Sequence, residues 1–318
     1  MKCKYIGAAI SDSTIVGVEL VNKKGEFSVV DIFHMKRKGS LRDDCHRFIT
    51  QFSLDGQRIG VAAISDRRDE VLVTPSLSRF ETAELLKWQI SDYVDWPESY
   101  YFFDFVTEAP LPDMVMQSDI EQQLVYLVAL PKQIINDVAT GILSGHGNLE
   151  IIDFFPGALT RRYVEHNGSV IALIKTDTIE LTGWSRHMCL AKCEVAKDFI
   201  KVKEGLEQIE TDLYTYGVPG IAGIASFAMN DESKKSNESN ESNGRKKSNE
   251  SDERNESNGT VPDQAIQELF ASYGELTPIY CDVSKVGQEV ALHMAQELPL
   301  LWNMAMGLAI RGLYKPSY

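Results

Sequence analysis

The sequence predicts an α/β protein of two lobes facing a cleft, and three observations carry that expectation. The first is a duplicated unit. Residues 5–10 and 14–21 are β-prone runs on either side of a polar corner, Ser11-Asp12-Ser13, and a third run, 26–32, follows the turn Asn22-Lys-Lys-Gly25. Residues 169–195 repeat the plan, with Lys175-Thr176-Asp177-Thr178 at the corner. The second is the order that completes the first unit. Residues 41–52 carry apolar positions at helical spacing with acidic residues near the start, and 58–64 read as a buried strand. The third is length, because 318 residues suit two domains or one bilobed one and can bury substantial cores.

The elements between the two units follow from local signals. Residues 78–93 predict a helix, stopped at Trp96-Pro97 because proline disfavours helical geometry in the residue before it. The aromatic run 100–105 and the apolar run 123–130 read as strands. Pro131-Lys132 opens a helix to 142, with proline in the first turn where its missing N–H does no harm, and the glycines at 145 and 147 end it before a strand at 149–155. Residues 156–166 predict a helix into the second unit. After that unit, 201–216 shows an amphipathic stripe at Val202, Leu206, Ile209, Leu213 and Tyr216, and 223–229 reads as a strand. A helix at 263–273, a strand at 278–283, a helix at 287–296 and an apolar helix at 298–313 complete the chain.

The expected division follows: 1–75 for the first part of the first lobe, 76–153 for an inserted α+β subdomain, 154–230 and 261–297 for the second lobe, and 298–318 for a C-terminal helix returning to the first lobe. Residues 231–260 stand apart. They repeat Ser-Asn-Glu-Ser with Lys and Arg clusters and have almost nothing apolar to offset ordering entropy, so a disordered insertion is expected.

Composition narrows the function. A net charge of −14 and a pI near 4.9 argue against a general binder of nucleic acid or anionic membrane, and favour a basic partner segment. The chain opens without an apolar signal region, and no stretch approaches the roughly 18 apolar residues of a membrane span. Five scattered cysteines read as reduced thiols in a cytoplasm. His187, Cys189 and Cys193 fit no common zinc spacing and read as core residues on one strand face. Cys45 and His46, neighbours on a helix, point in different directions and do not make a nucleophile and base. Taken alone, the Ser11–Thr14 corner is a hairpin turn, although its oxygens and N–H groups could hold an anion.

Three segments point further. One runs from Leu86 through Trp96-Pro97 to Asp104. A second joins Leu127-Val-Ala-Leu-Pro-Lys132 to Ile151-Ile-Asp153 and Ala158-Leu-Thr-Arg161, and a third is Gly307-Leu-Ala-Ile-Arg-Gly-Leu313. In order and spacing they resemble the type IV pilus assembly protein M (PilM) family, whose bilobed actin-like (ASKHA) fold is related to the cell-division protein FtsA and to the cytoplasmic region of type II secretion protein L. The resemblance covers nearly the whole chain outside 231–260.

It implies a scaffold on the inner face of the inner membrane that binds the short cytoplasmic tail of a single-span, PilN-like protein. The groove would lie beside the inserted subdomain, near Trp96 and Tyr100, and the machine would be a pilus, DNA-uptake or secretion apparatus. It also implies a nucleotide pocket at Ser11, Asp12, Ser13 and Thr14 and at Lys175, Thr176, Asp177 and Thr178, but in altered form. Ala9 and Ser11 stand where the family has Asp and Gly, and Lys175 stands where its second Asp falls. Loss of those groups removes Mg²⁺ ligands and close backbone approach, so ATP hydrolysis is not expected. Lys175 and the hydroxyls leave Mg²⁺-ATP as a ligand the corner could still hold. The alternative is an active ATPase or nucleotide-dependent switch. A filament-forming division protein is disfavoured because no amphipathic membrane-targeting helix closes the sequence.

Overall fold

The computed structural model describes residues 3–108, 121–163, 167–186, 188–229 and 261–314. The expected insertion at 231–260 and His187 lie outside the described residues.

The first unit forms an antiparallel meander of β1 (Cys3–Ile10), β2 (Thr14–Lys23) and β3 (Glu26–Lys36), turned at Asn22, whose side-chain oxygen accepts the Gly25 N–H at 2.9 Å. Helix α1 (Leu41–Gln51) follows, capped by Ser40, and leads to β4 (Arg58–Ala63), which lies parallel to β1. With β8 (Asn148–Phe154) and the short β13 (Cys281–Asp282) they make a six-stranded sheet in the order β13-β3-β2-β1-β4-β8. The second unit repeats it: β9 (Ser169–Ile174), β10 (Thr178–Ser185), β11 (Met188–Ala196), α5 (Phe199–Thr215) and β12 (Gly223–Ala228), in a sheet ordered β11-β10-β9-β12.

A third sheet of three strands is formed by β5 (Arg68–Pro75), β7 (Gln122–Pro131) and β6 (Tyr101–Glu108), with β7 central. Helix α2 (Arg79–Tyr93) packs on it through Leu86 and Ile90, against Tyr101, Phe105 and Leu127. Ser78 and Glu81 close a capping box at the start of α2. Strand β5 lies before the expected subdomain boundary at 76, yet it pairs with β7 in this sheet, and its Leu72 packs in one apolar cluster with Leu86 and Ile90 of α2. Conversely, α3 (Lys132–Ser144) and β8, inside the expected bounds, pack on the six-stranded sheet, with Gly141 of α3 pressed against Cys45 of α1.

Two other expectations shorten. The helix expected over 156–166 is the single turn α4 (Gly157–Thr160), because the backbone at Arg162 pairs instead with Ile279, whose N–H donates to the Arg162 carbonyl at 2.8 Å. The strand expected over 278–283 pairs with β3 only at Cys281 and Asp282. Proline 131 caps α3 rather than sitting in its first turn. Helices α6 (Val261–Ser272) and α7 (Gln288–Glu297) complete the second lobe's side.

Helix α8 (Pro299–Leu313) is apolar on nearly every face and accordingly buried, lying across β1, β2 and β4 and touching α4, α7 and β12. It sits so close to β1 that a Cβ on Gly7 would lie 2.6 Å from the Ala309 nitrogen and 2.9 Å from the Leu308 Cβ. Gly307 approaches the Ala158 backbone of α4 in the same way. Gly7→Val should therefore destabilise the fold by about 3 kcal/mol or more, since neither backbone can yield. Thermal unfolding of the purified variant checks it, and an unchanged midpoint would contradict this packing.

Candidate functional site

The duplication extends to individual hydrogen bonds. In the first unit the Ser11 N–H donates to the Thr14 carbonyl (2.9 Å), Arg37 N–H to Ser13 (2.7 Å) and Ile64 N–H to Ile10 (2.8 Å). In the second, Lys175 N–H donates to Thr178 (2.9 Å), Lys197 N–H to Asp177 (2.9 Å) and Met229 N–H to Ile174 (2.8 Å). The two polar corners are therefore the same backbone structure. Asp12 of one and Lys175 of the other line a cavity of about 800 Å³ between the lobes, with Arg67, Tyr100, Glu180 and Lys192.

The predicted corner residues engage mostly with each other. The Ser11 hydroxyl accepts the Thr14 N–H at 3.1 Å, and the Ser13 and Thr14 hydroxyls lie 3.2 Å apart. Thr178 Oγ1 donates to Glu194 at 2.6 Å, while Thr176 and Asp177 are exposed and do not line the cavity. The Lys175 ammonium sits between two carboxylates, 3.2 Å from Glu180 and 3.0 Å from Glu194.

Four residues that sequence reasoning did not single out complete the cleft. Arg67, in the link between β4 and β5, pairs with Glu180 of β10 and lies 3.2 Å from Asp69 of β5. Asp69 also receives Lys192 of β11 at 2.7 Å and the Tyr126 hydroxyl at 2.8 Å. The side chains of Asp69 and Glu180 are 0% and 5% exposed, so these are buried charges crossing from one lobe to the other. The available signals were a carboxylate inside the apolar run of β10 and a run of charge, Arg67-Arg-Asp-Glu70, that reads as a solvated linker.

Burial would raise the Asp69 carboxyl, but the charges of Arg67 and Lys192, with hydrogen bonds from Lys192 and Tyr126, hold it below the ordinary carboxylate range. Burial, and then the charge of Asp69, push the Tyr126 hydroxyl well above its ordinary value.

Trp96 and Tyr100 meet edge to face at 5.3 Å. Arg68 stacks over the Trp96 ring at 4.5 Å and pairs with Asp95 at 2.6 Å, so Trp96 is a structural residue of the subdomain, whereas Tyr100 is half exposed at the cavity. Cys45 is buried with its thiol pushed up to about 12, and the adjacent His46 faces Ser144 at 3.1 Å, so the pair diverges as the helix geometry requires. No group of three or more potential metal ligands occurs among the described residues.

No family model and no curated protein matches this chain. Among solved structures, it aligns with a chain of the PilM-PilN type IV pilus biogenesis complex over 98% of its own length and 99% of that chain, with a TM-score of 0.58 at 13% identity. The chain has a PilM-like, actin-like fold. Weaker likenesses include the cytoplasmic domain of EpsL, an inner-membrane component of the type II secretion system of Vibrio cholerae (TM-score 0.43, 11% identity, 71% of this chain and 83% of that one). Another is a Bacteroides thetaiotaomicron protein with an actin-like ATPase fold (TM-score 0.41, 10% identity, 73% and 84%).

In this PilM-like chain the residues present do not fit Mg²⁺-ATP. Ala9 is packed in the apolar core, Lys175 and Arg67 are neutralised by carboxylates, and the corner hydroxyls of Ser11, Ser13 and Thr14 are engaged locally. Lys175, the residue expected to meet a phosphate, is paired in this structure with two carboxylates. Its neighbours Glu180 and Glu194 reach it first.

The lowered Asp69 pKa has a consequence for stability. A carboxyl whose folded value lies below its unfolded value stabilises fully above the unfolded one, about pH 4, and that contribution is lost as pH falls through the folded value. Denaturant unfolding between about pH 2 and 6 should show this acid-side loss, and Asp69→Asn should flatten it while costing about 3 kcal/mol at neutral pH. An equally steep acid slope in the variant would assign the loss to other carboxyls.

Proposed function

We propose that this chain is a non-enzymatic scaffold of an inner-membrane assembly platform in a type IV pilus, or in a related DNA-uptake or type II secretion machine. It binds the N-terminal cytoplasmic tail of a PilN-like single-span membrane protein. The observation that carries the reading is the match to the PilM-PilN complex over nearly all of both chains. Fold alone does not assign function, so the reading leans also on charge and surface.

The net charge of −14 suits a tail that leaves the membrane with basic residues, and among the described residues no helix is long and apolar enough to cross a membrane. The inserted subdomain displays aromatic side chains to solvent, Trp88, Phe102 and Tyr100 among them, which are the residue types that anchor an extended apolar segment. The cleft supports a degenerate nucleotide site rather than an ATPase, since its cations are already paired. The scaffold works peripherally, at the cytoplasmic face, through its partner.

The test is a pull-down from detergent-solubilised native membranes with this chain as bait. We expect retention of a single-span protein whose isolated cytoplasmic tail competes it off. Tyr100→Ala should weaken that tail roughly tenfold or more without lowering the unfolding midpoint, as removal of an exposed interface aromatic does. Retention of no membrane protein, or a tail that binds the Tyr100 variant normally, overturns respectively the scaffold reading and the placement of the groove.

A further inference from the structure

The charged residues between the lobes form one alternating series. Lys192 of β11 meets Asp69 of β5, which lies beside Arg67, which meets Glu180 of β10, which meets Lys175 at the second corner, which meets Glu194 of β11. Three cations alternate with three anions, so the series is neutral. Two of its links, Asp69 with Lys192 and Arg67 with Glu180, cross from β5 and the segment before it to the second lobe. A third tie runs alongside: Tyr126 of β7 donates its hydroxyl to Asp69 and places its ring edge to face on Trp184 of β10 at 5.6 Å.

The remaining ionised groups lining the cavity are Asp12, Asp66, Glu70 and Arg68, and Arg68 is taken by Asp95. Among the described residues no lining cation is left without a carboxylate partner, and the groups outside the series are predominantly acidic.

We infer that the two lobes are tied across the cleft by the chain's own carboxylates, with Glu180 and Glu194 seated on the cations that an anionic ligand bridging the lobes would need. The physical basis is burial. An exposed ion pair is screened and weakly held, whereas separating Arg67 from Glu180, or Lys192 from Asp69, takes a partner from a carboxylate whose side chain is buried. A polyanion entering the cleft would have to displace Glu180 and strand it there. The inference is independent of which partner the surface binds.

Thermal unfolding with inorganic tripolyphosphate, and separately with Mg²⁺-ATP, tests it. Wild type should shift by less than about 1 °C at millimolar concentrations of either. Glu180→Gln with Glu194→Gln frees Lys175 and leaves Arg67 only Asp69 while keeping the shapes, and tripolyphosphate should then raise the midpoint by about 3 °C or more through binding to the folded state. Addition of Lys175→Met should abolish that gain. A wild-type shift as large as the variant's, or a folded double variant indifferent to tripolyphosphate, overturns the inference.

Should the double variant not fold, solution X-ray scattering of wild type decides instead. An unchanged radius of gyration with and without millimolar Mg²⁺-ATP is expected, and contraction on adding nucleotide overturns the tie.

Discussion

The structure depends first on how closely α8 lies on β1. Helix α8 is buried on nearly all sides, and its backbone reaches β1 at Gly7 because no side chain stands there. Any Cβ at Gly7 would meet the backbone of α8 itself, which cannot move without unseating Ala305, Leu308 and Ala309 from the core. The same helix presents Gly307 to the α4 backbone, so one element holds the first sheet, the short turn after β8 and the second lobe in fixed relation. Arg311 near the end of α8 pairs with Asp153 at the end of β8. Two segments distant in sequence are thereby one contact in space, and the polar corners at the ends of β1 and β9 are carried into opposition by that packing.

On this frame the cleft is filled with ion pairs rather than left cationic. Buried salt bridges seldom add much net stability, because desolvation offsets attraction, but removing one partner is severely destabilising. That asymmetry makes them suited to specifying one arrangement of two bodies. Here the pairs run across the cleft, with Asp69 and Glu180 as their most deeply buried members. The adjacent residue Arg68 faces the other way, onto Trp96 and Asp95, so the start of β5 joins the interlobe contact to the subdomain surface with Tyr100. On the scaffold reading proposed above, that rigidity matters because a partner that binds an already fixed surface loses less entropy on binding.

Sequence alone determined the repeat, most of the element types and the bilobed α/β class. These rest on local physics: alternation in strands, 3.6-residue periodicity in α5, capping at Ser78, and polar corners at Ser11 and Lys175. It also showed Ala9 and Lys175 as residue types, whatever their surroundings. The identical hydrogen bonds around the two corners show why the duplication could be read: the same backbone problem is solved twice.

Only the tertiary structure decided what those corners do. Whether Lys175 is free for a phosphate depends on Glu180 and Glu194, strand residues whose direction follows from the twist and register of β10 and β11. The role of Arg67 and Asp69 was not legible because burial of charge across a cleft leaves no periodic trace in a sequence. The subdomain boundary was misplaced for a related reason: β5 is a strand only because β7 pairs with it, and β8 belongs to the first sheet because β4 does. Local propensity is a property of neighbours along the chain, whereas ion pairing and sheet membership are properties of neighbours in space, which close packing brings together across more than a hundred residues.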